Sequence, residues 1–187
     1  MAKDKITVVG AGNVGATAAH IAATRRLGQI VLLDIVEGLA QGKALDMAEA
    51  SGLYGSEQCI LGTTDWSAAA GSDVVIVTSG VPRKPGMSRD DLLATNANIV
   101  KSVSQQIAAH CPDAFIIVVC NPLDAMVHAV ARTTGFPQRR IIGMAGALDS
   151  ARFCYFLAAE LDVCVDDIHC VLMGGHGDDM VPLPRFT

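Results

Sequence analysis

The sequence predicts an α/β protein, a doubly wound parallel sheet followed by a shorter α+β unit. Three observations carry this expectation. Short β-branched runs alternate with longer helical patterns, the runs are almost wholly apolar, and the pattern changes character near residue 145. Alternating strand and helix calls for right-handed βαβ crossovers. Strands with no polar face must be covered on both sides, as parallel strands are.

The predicted strands are ITVVG (6–10), IVLLD (30–34), VVIVT (74–78), FIIVVC (115–120) and RIIGM (140–144). Helical patterns fall at about 13–26, 38–52, 89–110 and 123–134. In the third of these, Leu92, Leu93, Ile99, Val100, Val103 and Ile107 make a stripe at helical spacing. Beyond 145 come a helix at 148–161 and two strand-like runs, 168–173 and 180–183. The chain therefore divides into a domain at 1–145 and a second portion at 146–187.

Composition narrows the function classes. The 187 residues are 51% hydrophobic and only 4% aromatic, which requires an aliphatic core. Net charge is -5 with no basic tract, so nucleic acid is not the expected partner. No apolar stretch approaches the ~20 residues of a membrane span. MAKDK leads straight into a strand, without a secretory leader, and the expected location is cytoplasmic. The six cysteines (59, 111, 120, 154, 164 and 170) lack a C-x-x-C pair and lie in apolar context. They read as reduced core residues rather than as disulfides or a zinc site.

The first strand ends in GAGNVG, which puts Gly10, Gly12 and Gly15 in G-x-G-x-x-G spacing. Gly10 permits a tight turn, Gly12 lets backbone approach a pyrophosphate, and Gly15 lets the helix pack on the strand. The helix N-terminus then faces the anion. The pattern has strand before, helix after, and an acid, Asp34, closing the next strand. A carboxylate there binds ribose hydroxyls and repels a 2′-phosphate, so a Rossmann domain for NAD rather than NADP is expected. A plain turn aspartate is the alternative.

In open α/β sheets, ligands bind outside the carboxyl ends of the strands. Thr78, Ser79 and Gly80 end one strand there, and Asn121 ends another, held out of the helical region by Pro122. A simple Asn-Pro turn is the alternative for Asn121. The segment VPRKPGMSRDDLL (81–93) carries Arg83 and Arg89 among two prolines and a glycine. Ser88 and Asp91 form a Ser-x-x-Asp cap, which places Arg89 in the first helical turn. Such a loop is either a solvated basic segment or a lid bearing anion-binding groups.

Asp149 and Arg152 in ALDSARF share a helix face at i, i+3, as a local ion pair would. His176 lies between Gly175 and Gly177 in MGGHGDDM, where an imidazole is uncrowded. A structural histidine, or a metal with Asp178 and Asp179, remains open at this point. No second ligand has zinc spacing, so no metal is expected.

Taken together, GAGNVG, the acid in VLLDI, VPRKPGMSRDDLL, CNPLD, LDSARF and MGGHGDDMVPL resemble the NAD-dependent malate dehydrogenases of the lactate-dehydrogenase-like bacterial type. The resemblance runs over the whole chain. It implies His176 as the acid/base, Asp149 as its orienting carboxylate, Arg152 as the grip on the substrate carboxylate, and Arg89 on the reacting carbonyl. It further implies Arg83 on the distal carboxylate of a small dicarboxylate, malate or oxaloacetate. Asn121 would lie near substrate and nicotinamide. Gly10, Gly12, Asn13, Gly15, Asp34, Thr78, Gly80, Asn96 and Asn121 would serve NAD. Family members assemble as homo-oligomers, and Leu39, Ala40, Ala44, Leu45 and Met47 at 38–52 form either an interface face or ordinary core. Members also continue past PLPRFT, which implies that the α+β unit is incomplete, and an NAD-binding module without turnover is the alternative to an active enzyme. Another 2-hydroxy-acid dehydrogenase is disfavoured by Arg83.

Overall fold

In a computed structural model, which describes residues 4–55, 60–82 and 85–187, the chain begins with β1 (Lys5–Val9) and α1 (Asn13–Thr24). There follow β2 (Gln29–Leu33), α2 (Leu39–Ala50), β3 (Ile60–Thr63) and β4 (Val74–Val77). Then come α3 (Arg89–His110), β5 (Phe115–Val118), α4 (Leu123–Thr134) and β6 (Ile141–Gly143). The six strands form one sheet in the order β3-β2-β1-β4-β5-β6. β1 pairs in parallel with both β2 and β4, and β2–β3 and β4–β5 are parallel too. The chain first moves outward from β1 to β3, then returns to lay β4 on the other side of β1. Loops leaving β1 and β4 diverge at that reversal and open a crevice between them.

The expected doubly wound sheet is thus present, and its strand interiors are aliphatic. Val8, Leu32, Val75, Val77, Ile116 and Val118 are all fully buried. Thr7 in β1 is a buried polar exception, and it pairs with buried Ser72 just ahead of β4. Their hydroxyl oxygens lie 2.7 Å apart, and Ser72 donates to the Ala69 carbonyl. β4 and β5 bury alternate residues only, so they are less enclosed than their apolar sequences suggest.

One strand was not expected. β3 is four residues, ILGT, at the sheet edge, with Gly62 inside it. Glycine and brevity hide it from any strand pattern. Packing supplies the reason for the glycine, since a Cβ at Gly62 would overlap the Ala40 carbonyl of α2.

The chain divides into two compact units, 1–142 and 143–187. The second contains α5 (Gly146–Leu161), which starts two residues before the predicted helix, and an antiparallel hairpin of β7 (Leu172–Gly174) and β8 (Met180–Pro182). These strands are shorter than the runs predicted at 168–173 and 180–183. No helix among the described residues is long and apolar enough to cross a membrane. Of the cysteines, Cys111 and Cys120 are buried as expected, but Cys164 is exposed and Cys154 and Cys170 are half-buried. Cys59 lies outside the described residues. In α2, Ala40 and Ala44 are core and Leu39 and Met47 pack against it, while Leu45 is 58% exposed.

Candidate active site

The turn after β1 is made possible by its glycines. Gly10 has φ +103°, and a Cβ there would press on Thr78 Oγ1 at 2.8 Å and Ser79 N at 2.9 Å. A Cβ on Gly15 would overlap the Gly10 carbonyl oxygen. Thr78 closes this corner, its hydroxyl within reach of the Val9 carbonyl at 3.0 Å and the Gly10 carbonyl at 3.1 Å. Gly12 differs from the others: its φ is an ordinary -66°, and a Cβ there would meet no atom within 4 Å. Packing therefore demands Gly10 and Gly15, and leaves the space over Gly12 open to a ligand.

The side chains around this turn fit a dinucleotide. Helix α1 starts at Asn13 with no side-chain cap and no acid in its first turn, so its positive end is not neutralised locally. A cleft of about 410 Å³ runs past Gly10, Gly12, Asp34, Thr78, Ser79 and Gly80. Asp34 is anchored at its mouth, accepting from Ala11 N at 2.6 Å and Val36 N at 3.0 Å. Lys43 supports the same turn by donating to the Ala11 carbonyl at 2.6 Å. The buried Ser79 hydroxyl lining this cleft has no hydrogen-bond partner among the described residues. A buried hydroxyl without a partner costs about 1–3 kcal/mol, a cost that a polar ligand in the cleft would relieve. NAD thus suits the residues present.

Asn96 and Asn121 meet at the far side of the crevice. Asn96 is 2% exposed; its amide oxygen accepts from Val81 N, and its nitrogen donates to the Val81 and Asn121 carbonyls. Expected among the cofactor-binding residues, Asn96 also holds the loop through these backbone contacts. It also explains Gly80, whose Cβ would sit 3.3 Å from Asn96 Oδ1. The capping box expected at the start of α3 is present: Asp91 N donates to Ser88 Oγ at 3.0 Å and Ser88 N returns to Asp91 Oδ2 at 3.1 Å. The Ser88 hydroxyl and amide hold the Asp91 carboxyl below its usual range. Arg89 opens α3 in backbone, while its side chain and all of Arg83 lie outside the described residues.

In the second unit, α5 and the hairpin bring together residues 27 positions apart. His176 Nδ1 lies 2.8 Å from Asp149 Oδ2. Asp149 Oδ1 faces Arg152 Nη1 at 3.6 Å, and the Arg152 side chain remains 61% exposed. The hairpin loop that presents His176 depends on Gly174, at φ +98°, where a Cβ would overlap the Asp179 carbonyl. A carboxylate only accepts, so Nδ1 must carry the proton and the neutral ring's basic nitrogen is Nε2. Asp149, buried at 6% exposure, is the fixed member of the three.

Sequence reasoning missed Lys43 and the clamping role of Asn96. A single lysine or asparagine on a helix carries no local signal; both act on backbone distant in the chain.

The strand order, glycine turn and terminal acid define a dinucleotide-binding α/β domain. Residues 4–143 match the family described as lactate/malate dehydrogenase, NAD binding domain, and the chain belongs to that family. The resemblance expected from the motifs is borne out. Malate dehydrogenase of Caulobacter vibrioides is 57% identical over 187 residues, covering 100% of this chain and 58% of the relative. Apo malate dehydrogenase from Picrophilus torridus is 49% identical with a TM-score of 0.94, over 98% of this chain and 58% of that one. Lactate dehydrogenase of Cryptosporidium parvum, solved with lactic acid and nicotinamide adenine dinucleotide, is 42% identical with a TM-score of 0.92, over 97% and 57%. The chain thus spans about 58% of the length of the curated relatives it matches.

Proposed function

We propose that this chain carries the chemistry of a malate dehydrogenase, the reversible NAD-dependent oxidation of (S)-malate to oxaloacetate. The observation that carries this reading is the 2.8 Å contact of His176 Nδ1 with the buried Asp149 carboxylate. Asp149 fixes the tautomer, so Nε2 takes the hydroxyl proton of malate, and the imidazolium returns it to oxaloacetate. The same carboxylate stabilises the imidazolium once it forms. Arg152, still exposed beside Asp149, grips the carboxylate next to the reacting carbon. Arg89 stabilises the developing alkoxide, and Asn121 orients substrate beside the nicotinamide. Bound NAD supplies the hydride acceptor. Gly10, Gly12, Asn13, Gly15, Thr78 and Gly80 shape the approach to it, and Asp34 holds the ribose.

Arg83, outside the described residues, is assigned from its motif to the distal carboxylate of the C4 substrate. With pyruvate that guanidinium would be buried unpaired, at a cost of about 3–5 kcal/mol. A cytoplasmic location and a homo-oligomer belong to the same reading. It draws support from the free thiols Cys111, Cys120 and Cys164 and from the exposed Leu45 of α2.

NADH consumption with oxaloacetate and with pyruvate, measured side by side, tests the proposal. Turnover should favour oxaloacetate, fall about 10²–10⁴-fold in His176→Asn and Asp149→Asn, and shift toward pyruvate in Arg83→Gln. A second reading, an NAD-binding module without turnover, is favoured by one fact: unit 143–187 buries a single apolar side chain, Ala158. NADH binding without turnover in the folded chain would select it.

A further inference from the structure

We propose that Cys154 and Cys170 form a reversible disulfide, a covalent modification site for which low-molecular-weight disulfides such as oxidised glutathione are the oxidant. Cys154 lies on α5 and Cys170 just ahead of β7, and their sulfurs are 2.7 Å apart across a separation of 16 residues. A disulfide bond is ~2.05 Å long, so closure asks the sulfurs to approach by roughly 0.7 Å. The two backbones are already tied at this level. Leu172 N donates to Ser150 Oγ at 3.0 Å, and Cys170 Sγ reaches the Ser150 carbonyl at 3.1 Å. Cys154 Sγ lies 3.6 Å from the Ile168 carbonyl. Closure therefore starts from sulfurs already within reach and draws the two arms closer together.

The electron count closes with one oxidant molecule. Burial, with the Cys154 sulfur adding to it, pushes the Cys170 thiol up to about 11, so Cys170 keeps its proton at neutral pH. Cys154 gives its proton to solvent and makes the first attack on one glutathione sulfur. The oxidant's S–S bond breaks, and the first glutathione leaves as a thiolate that picks up a proton. Cys170 then gives up its proton and attacks the Cys154 sulfur, expelling the second glutathione. Two protein thiols are oxidised and one disulfide becomes two thiols. Because Cys170 must ionise, closure speeds up as pH rises.

The position gives the bond a consequence, which rests on the proposed roles of His176 and Asp149. The helix arm holding Cys154 also carries Asp149 and Arg152, and the strand arm leading from Cys170 ends in the hairpin that presents His176. A covalent tie between the arms alters the geometry of the 2.8 Å contact at their ends. In a thiol-reducing compartment such a bond is transient, as a switch requires.

The test treats the full chain and the variants Cys154→Ser, Cys170→Ser and Cys164→Ser with oxidised glutathione at pH 7 and pH 9. Intact mass, non-reducing peptide maps and turnover are read before and after dithiothreitol. The expected result is a loss of about 2 Da, two hydrogen atoms, with a linked 154–170 peptide that forms faster at pH 9. It should persist in Cys164→Ser and vanish in either other variant. Glutathione adducts without a linked 154–170 peptide, or no change in mass, would overturn the site. Turnover with oxaloacetate should change by at least about threefold on closure and recover on reduction. A linked peptide with unchanged turnover overturns the switch. If neither form turns over, the failure belongs to the proposed reaction, and the peptide map still decides the site.

Discussion

The side-chain nitrogen of Asn96 donates to the backbone carbonyl of Asn121 at 2.7 Å, tying α3 to the segment that follows β5. The same amide takes both polar groups of Val81, at the root of the loop carrying Arg83 and Arg89. One buried side chain therefore sets the spacing between two loops of the crevice. Asn96→Asp keeps the size and one acceptor but removes the donor, leaving two carbonyls facing a carboxylate. It should cost about 1–3 kcal/mol in a denaturant titration and weaken NADH binding in parallel. Unchanged affinity in a folded variant would mean the clamp does not shape the cleft.

The glycines of the first turn should separate folding from binding. Gly15→Ala drives a methyl into the Gly10 carbonyl and should destabilise by about 1–3 kcal/mol or more. Gly12→Ala meets no atom and an allowed φ, so its melting temperature should barely move. Its NADH affinity should nonetheless fall, because the methyl fills the space a pyrophosphate needs. Calorimetry with and without NADH reads both effects.

Asp34→Asn isolates the charge at the proposed ribose contact. The variant keeps an acceptor for Ala11 N, so the turn stays supported. Loss of a charged acceptor is worth about 1.5–3 kcal/mol, or roughly 10–100-fold in NADH affinity by fluorescence titration. The preference for NADH over NADPH should narrow as well, since the repelling charge is gone.

Burial pushes the Cys120 thiol from its ordinary 9.0 up to about 11. A raised folded-state value means its stabilisation is fully present below pH 9 and is lost as pH climbs through 9 to 11. The loss amounts to about 2–3 kcal/mol at most. Denaturant midpoints should fall across that window, and Cys120→Ala should flatten the fall. At pH 7.5, iodoacetamide should label exposed Cys164 well before Cys111 or Cys120.

The parts legible in the sequence are those with a local signature. Gly10, Gly12, Gly15 and Asp34 announce β1, α1 and β2 because a tight turn, a helix start packed on a strand and an acid closing the next strand need particular residues at particular steps. The capping box at Ser88 and Asp91 was readable for the same reason. β3 was not, because an edge strand of four residues with a glycine has neither length nor period. Cys154 and Cys170 were read as ordinary core because nothing in a spacing of 16 residues shows that α5 and β7 bring two sulfurs together. Asp149 and His176 became a pair only through the whole set of motifs, since their 27-residue separation encodes no contact.

Cohesion and chemistry are distributed unequally along the chain. The wholly buried strand residues Val8, Leu32, Val75 and Val77 belong to the first unit, while in 143–187 Ala158 is the one buried apolar residue. Backbone amides of β1 and β4 therefore exchange with deuterated solvent only when the whole sheet opens, whereas those of β7 and β8 exchange through small local openings. On warming, the contact between His176 and Asp149 should break before the nucleotide cleft does, with hydrogen exchange at stepped temperatures as the check.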